Sequence, residues 1–141
     1  IIMYFDIPSH TALGGTSLAY LGDAVLELMT RQYLLTKGIA DVGRLNSMAL
    51  HYVKATSQSE AVERIIPLLD EEELSVFKRG RNAHSSHVPK NQSDADYRYA
   101  TGLEALYGYL YLIGDFPRIT YIFNISTGEE YFGKEKVSEQ N

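Results

Sequence analysis

The stretch Leu18 to Leu28, LAYLGDAVLEL, constrains this chain more than any other, because its apolar residues recur at helical spacing while Asp23 interrupts them directly after Gly22. A carboxylate flanked by Leu21, Gly22, Ala24 and Val25 is costly to hold in poorly solvated surroundings unless a cation or strong donors meet it. Gly22 within the same helix costs about 1 kcal/mol relative to alanine, so something is expected to approach its backbone closely. Far along the chain, Glu104 in YRYATGLEALYGYLYL occupies the same kind of setting. Two such helices facing each other would make a divalent-metal site.

The rest of the chain reads as helix after helix. Leu18, Leu21, Val25 and Leu28 form an apolar stripe, and Asp23, Glu27 and Arg31 fall on another face, so a helix is expected over about 17–37 with Gly38 as its stop. A second follows from Asp41 to Tyr52. A third spans Thr56 to Leu69, where SQSE at Ser57 to Glu60 resembles a capping box. Asp70 and the three glutamates after it suit the positive end of a fourth helix running to about Arg81. Asn82 to Ser93 reads as a loop, and Asp94 can cap a long helix through Ile113 with Leu103, Leu106 and Leu110 as its buried stripe. After Gly114 the character changes: Pro117 is expected to block continuation of the preceding helix and RITYIFNI favours an extended segment.

Composition closes off several function classes. At 141 residues and 45% apolar content the chain suits one sizeable core. It has no cysteine, which excludes disulfide frameworks and thiolate metal sites and suits a reducing cytoplasm. The start shows no basic leader, and no apolar run approaches the roughly 18 residues of a membrane span. The net charge of −5 argues against a general polyanion binder, yet the charge is uneven: residues 1–77 hold ten acids against five Lys or Arg, whereas KRGRNAHSSHVPKNQ, from Lys78 to Gln92, has four Lys or Arg and no acid. Such a flexible basic element suits phosphate contact better than base reading.

Taken together and in order, LAYLGDAVLEL, RGRNAHSSH and YRYATGLEALYGYLYL resemble the catalytic domain of the ribonuclease III family, and specifically its short bacterial branch, Mini-ribonuclease III. The resemblance covers about Phe5 to Ile113. It implies an all-α ribonuclease III endonuclease-domain fold over residues 1–114, with 115–141 as a divergent tail that does not match the charged amphipathic helix usual for the branch. It also implies a cytoplasmic bacterial homodimer, dependent on Mg²⁺, that cleaves double-stranded RNA and matures large-subunit (23S) ribosomal RNA precursor. Position by position, Asp23 and Glu104 match the family's aspartate and glutamate and are the expected catalytic metal ligands. Positions where full-length ribonuclease III carries further acids read Thr16, Ala19 and Thr101 here. Magnesium tolerates so small a set, since it is commonly bound by one or two carboxylates with waters and substrate phosphates. Tyr20 is the expected dimer contact.

Lys78, Arg79, Arg81 and Lys90, with Arg98 as a weaker member, are the expected RNA contacts, because double-stranded RNA is read mainly by shape and by phosphate and 2′-hydroxyl contacts. Glu27 stands four residues before Arg31, which favours an ion pair over metal support. Asp94 and Asp96 suit helix-end roles. His84 and His87 lack a third ligand in their loop. Two rival readings remain: a catalytically silent ribonuclease III fold that binds double-stranded RNA or the ribosome, motivated by Thr16, Ala19 and Thr101, and a helical protein-interaction module whose basic loop meets an acidic partner.

Overall fold

A computed structural model of the chain describes residues 5–56, 59–83 and 94–128. Within them the elements are α1 (Gly15–Leu35), α2 (Val42–Thr56), α3 (Ser59–Ile65), a 3₁₀ turn (Ile66–Leu68), α4 (Glu71–Asn82), α5 (Asp94–Leu112) and α6 (Phe116–Thr127). The all-α expectation holds. His84, His87, Lys90, Ser57 and residues 129–141 lie outside the described residues.

The middle of α5 is apolar all round, as befits a helix surrounded by others. Leu103, Ala105, Leu106, Tyr107 and Leu110 are buried in the core. Its most extensive contact is with α1 and its next with α4. The α1 stripe is rotated from the one expected: Leu18, Val25, Leu26 and Leu34 are buried, whereas Leu28 is 51% exposed. Gly38 and Gly114 follow the ends of α1 and α5 with φ of 75° and 76°, a left-handed conformation that glycine adopts without steric cost.

A capping box stands at the start of α4, apart from the one expected at Ser57 to Glu60, whose first residue lies outside the described residues. The Asp70 carboxylate accepts from the Glu73 amide at 2.8 Å and the Glu73 carboxylate accepts from the Asp70 amide at 2.9 Å. Glu73 is buried, and Arg118 from α6 donates to both of its oxygens, each at 2.8 Å. Burial alone would raise the Glu73 pKa, but the hydrogen bonds from Arg118 and the Asp70 amide, with the Arg118 charge, hold it below the ordinary carboxylate value.

The segment RITYIFNI is helical, contrary to the extended reading. Pro117 lies in the first turn of α6, where its missing N–H costs nothing, and the Asp115 side chain caps that turn by accepting from the Arg118 amide at 3.1 Å. Ile119, Ile122, Phe123 and Ser126 are buried, a spacing of three or four residues that overrides the β-branched preference of the segment. At the far end, Arg64 of α3 donates to the carbonyls of Ile125 at 3.2 Å and Ser126 at 2.9 Å, placing a cation at a helix C-terminus. The first half of the 115–141 segment therefore shares the core with α1 and α5.

Candidate active site

Helices α1 and α5 meet backbone to backbone. A methyl group built on Gly22 would lie 2.8 Å from the Gly108 amide nitrogen and overlap the Glu104 carbonyl. A methyl built on Gly108 would lie 3.2 Å from the Gly22 nitrogen and overlap the Leu18 carbonyl. This is the close approach that the helical position of Gly22 implied. Asp23 follows Gly22 and Glu104 contributes the touching carbonyl, so both acids stand at the crossing.

There the Asp23 carboxyl acts on that of Glu104 as a hydrogen-bonding neighbour and as a charge. Asp23 itself lies on the exposed side of α1, so the expectation of a poorly solvated Asp23 is corrected: desolvation falls on Glu104. Burial first, then the hydrogen bond with Asp23 and the Asp23 charge, push the Glu104 carboxyl up to about 8. Glu104 therefore holds a proton at neutral pH, and a divalent cation can take that proton's place. Hard oxygen donors of this kind fit Mg²⁺. Among the described residues no cluster of three His, Cys, Asp or Glu is present, so water and phosphate oxygens would complete the coordination.

The positions without acids are put to other uses. Ala19 is 7% exposed within the core, and the Thr101 hydroxyl donates to the Tyr97 carbonyl at 2.9 Å. Glu27 pairs with Arg31 at 3.1 Å, as its spacing implied.

Lys78, Arg79 and Arg81 lie together on the last turns of α4, leading into the loop. Lys78 is exposed and, with Ser75 and Asn82, lines a broad open hollow. Arg79 is half-buried, and its terminal nitrogens donate to the carbonyls of His10 at 3.2 Å and Leu13 at 3.5 Å, so it ties the segment before α1 to α4. Arg81 donates to the Asn82 side chain at 3.2 Å. Arg98 pairs with Asp94 at 2.8 Å, and Asp94 opens α5. Tyr20 is 86% exposed on α1, in line with Leu28 at 51% and Leu35 at 62%. Sequence reasoning passed over Gly108, although like Gly22 it is a glycine inside an apolar helix near a carboxylate, four residues after Glu104 where Gly22 directly precedes Asp23.

The family model of the ribonuclease III domain matches residues 16–115. That match and the all-helical architecture define an endoribonuclease of the ribonuclease III class. Among individual proteins, the chain is 46% identical over 131 residues to the Mini-ribonuclease 3 of Desulfitobacterium hafniense, covering 91% of this chain and 83% of that one. It is 46% identical to the Mini-ribonuclease 3 of a Thermoanaerobacter species, covering 77% of each chain. A crystal structure of protein FN1578 from Fusobacterium nucleatum superposes with a TM-score of 0.74 at 32% identity, covering 87% of this chain and 99% of that one. The chain belongs to the Mini-ribonuclease 3 branch of the ribonuclease III family. A share of 91% is more than residues 1–114 can supply, so the likeness to the Desulfitobacterium protein continues past Gly114.

Proposed function

We propose that this endoribonuclease is Mg²⁺-dependent, acts as a cytoplasmic homodimer on double-stranded RNA, and matures the large-subunit (23S) ribosomal RNA precursor. The observation that carries the reading is the α1–α5 crossing, where the backbones meet at Gly22 and Gly108 and bring the Asp23 and Glu104 carboxyl groups to bear on one another. The precursor itself is proposed from the branch alone.

Asp23 and Glu104 would hold the ion, which when bound supplies polarisation of the scissile phosphate and a lowered pKa for an attacking water. Glu104 must first release its proton. Asp23, on the exposed side, faces incoming RNA, while Glu104 is anchored against α1. Attack by water at phosphorus with cleavage of the P–O3′ bond leaves a 5′-phosphate and a 3′-hydroxyl. Lys78, Arg81 and Lys90 would meet RNA phosphates. Arg79 and Arg98, already engaged with backbone carbonyls and with Asp94, would support that surface. The outward row of Tyr20, Leu28 and Leu35 would meet a second copy, and two-fold symmetry would then set one site against each strand.

A fully paired RNA duplex incubated with the protein in Mg²⁺ and in Ca²⁺, resolved on a denaturing gel, tests this. Cleavage in Mg²⁺ to staggered products with 5′-phosphates is expected. Salt-sensitive binding without cleavage in either ion would favour the silent RNA-binding module.

A further inference from the structure

We infer that Gly108 is a positioning residue for the metal pair: by lacking a side chain it sets how closely α5 approaches α1, and so the gap across which Asp23 and Glu104 grip a divalent cation. The inference rests on the proposed metal reading of that pair.

The contact is reciprocal. Gly22 faces the carbonyl of Glu104 and Gly108 faces the carbonyl of Leu18, and each carbonyl belongs to the residue four positions before the opposing glycine. Helices whose contact residues carry side chains pack with axes about 8–10 Å apart. Here the backbones themselves touch, which glycine alone permits. The acids leave the helices at this point: Asp23 adjoins Gly22, and Glu104 lies one helical turn before Gly108. Any widening at Gly108 is therefore transmitted to the carboxyl groups with little attenuation, because a packed core moves as rigid pieces. Ligand displacements of about 1 Å can cost about a hundredfold in catalysis.

A second glycine crossing on α5 provides the comparison. A methyl on Gly80 of α4 would lie 2.7 Å from both the Ala105 Cβ and the Thr101 carbonyl oxygen, so Gly80→Ala crowds α5 against α4 rather than at its glycine crossing with α1. A fold-wide disturbance would be common to both variants. Loss of the grip would belong to Gly108 alone.

The test is binding of Mn²⁺ alone to the full chain without RNA, read as free Mn²⁺ by electron paramagnetic resonance, with folding monitored by cooperative melting. Asp23→Asn and Glu104→Gln should each abolish binding. Gly108→Ala should weaken it at least tenfold, Gly80→Ala by less than twofold, and adding Asp23→Glu to Gly108→Ala should restore it, because a longer arm spans a wider gap. Parent-like binding by folded Gly108→Ala, or failure of Asp23→Glu to restore it, would overturn the positioning role while leaving the metal reading intact. Parent-like binding by Asp23→Asn and Glu104→Gln would instead remove the metal reading. Should Gly108→Ala not fold, Glu104→Asp shortens one arm by a methylene and replaces it: a tenfold loss restored by Asp23→Glu is expected, and binding equal to the parent would overturn the inference.

Discussion

Glu104 retains a proton at a pH where an ordinary carboxylate has lost it, since its pKa is raised from 4.5 to about 8. The folded protein then binds more protons than the unfolded chain between those values, so stability falls as pH rises through that window. Glu104→Gln removes the titration. Metal-free protein should melt at progressively lower temperature from pH 5 to pH 8, and the Glu104→Gln variant should show a shallower decline over the same range; equal slopes would contradict the assignment. Mg²⁺ competes with the Glu104 proton, so its stabilising effect should grow with pH. The buried Glu73–Arg118 pair behaves oppositely. Arg118→Met leaves Glu73 buried without its cation and should cost about 3–5 kcal/mol in urea unfolding at pH 7. Because the Glu73 pKa is lowered in the fold, that difference should shrink in acid, as the pair's contribution is lost when pH falls through the lowered value. Asp23 and Glu104 could be singled out from sequence because glycine and carboxylate sit where an apolar helix would not otherwise place them. The Glu73–Arg118 pair could not, since its partners are 45 residues apart and each also fits an ordinary role at a helix start.

Helices α1, α4 and α5 were legible because local signals and long-range packing agree: helical spacing, an acidic first turn before α4, and stop glycines at 38 and 114. Helix α6 was not. Pro117 agrees with the end of α5 at Leu112 but also suits the first turn of a new helix, and the β-branched run conceals the period of Ile119, Ile122 and Phe123. The burial face of α1 was misjudged by one row, since Leu28 and Leu35 are as apolar as the residues inside and only the position of α5 decides between rows. Because α6 lies in the core, ending the chain after Gly114 should expose the apolar side of α5 and α1 and lower the melting temperature by well over 10 °C or abolish the cooperative transition. A truncated chain that melts like the parent would refute the structural role of α6. On α4, Lys78 and Arg79 should separate: Lys78→Ala should lower the salt slope of RNA binding by about one with stability unchanged, whereas Arg79→Ala, which frees the carbonyls of His10 and Leu13, should lower the melting temperature and leave the slope nearly intact.

At the scale of the molecule, the described residues form one helical body in a chain with a net charge of −5, and Lys78, Arg79 and Arg81 are concentrated at the end of α4. Such a body attracts RNA locally and repels it elsewhere, so RNA binding should fall steeply with salt despite the acidic whole. The exposed row of Tyr20, Leu28 and Leu35 is the surface proposed for the second copy. Leu28→Asp should shift the elution volume to that of a monomer and reduce duplex cleavage, and a monomeric parent with full activity would contradict the dimer. On the proposed reading, hydrolysis depends on the ion that Asp23 and Glu104 hold together. Single-turnover cleavage of an RNA duplex in Mg²⁺ by the parent, Asp23→Asn and Glu104→Gln tests it most directly, with binding measured in parallel in Ca²⁺. A loss of at least a thousandfold in both variants, with duplex affinity kept within about fivefold, is the predicted result. Cleavage within tenfold of the parent by either variant would contradict it.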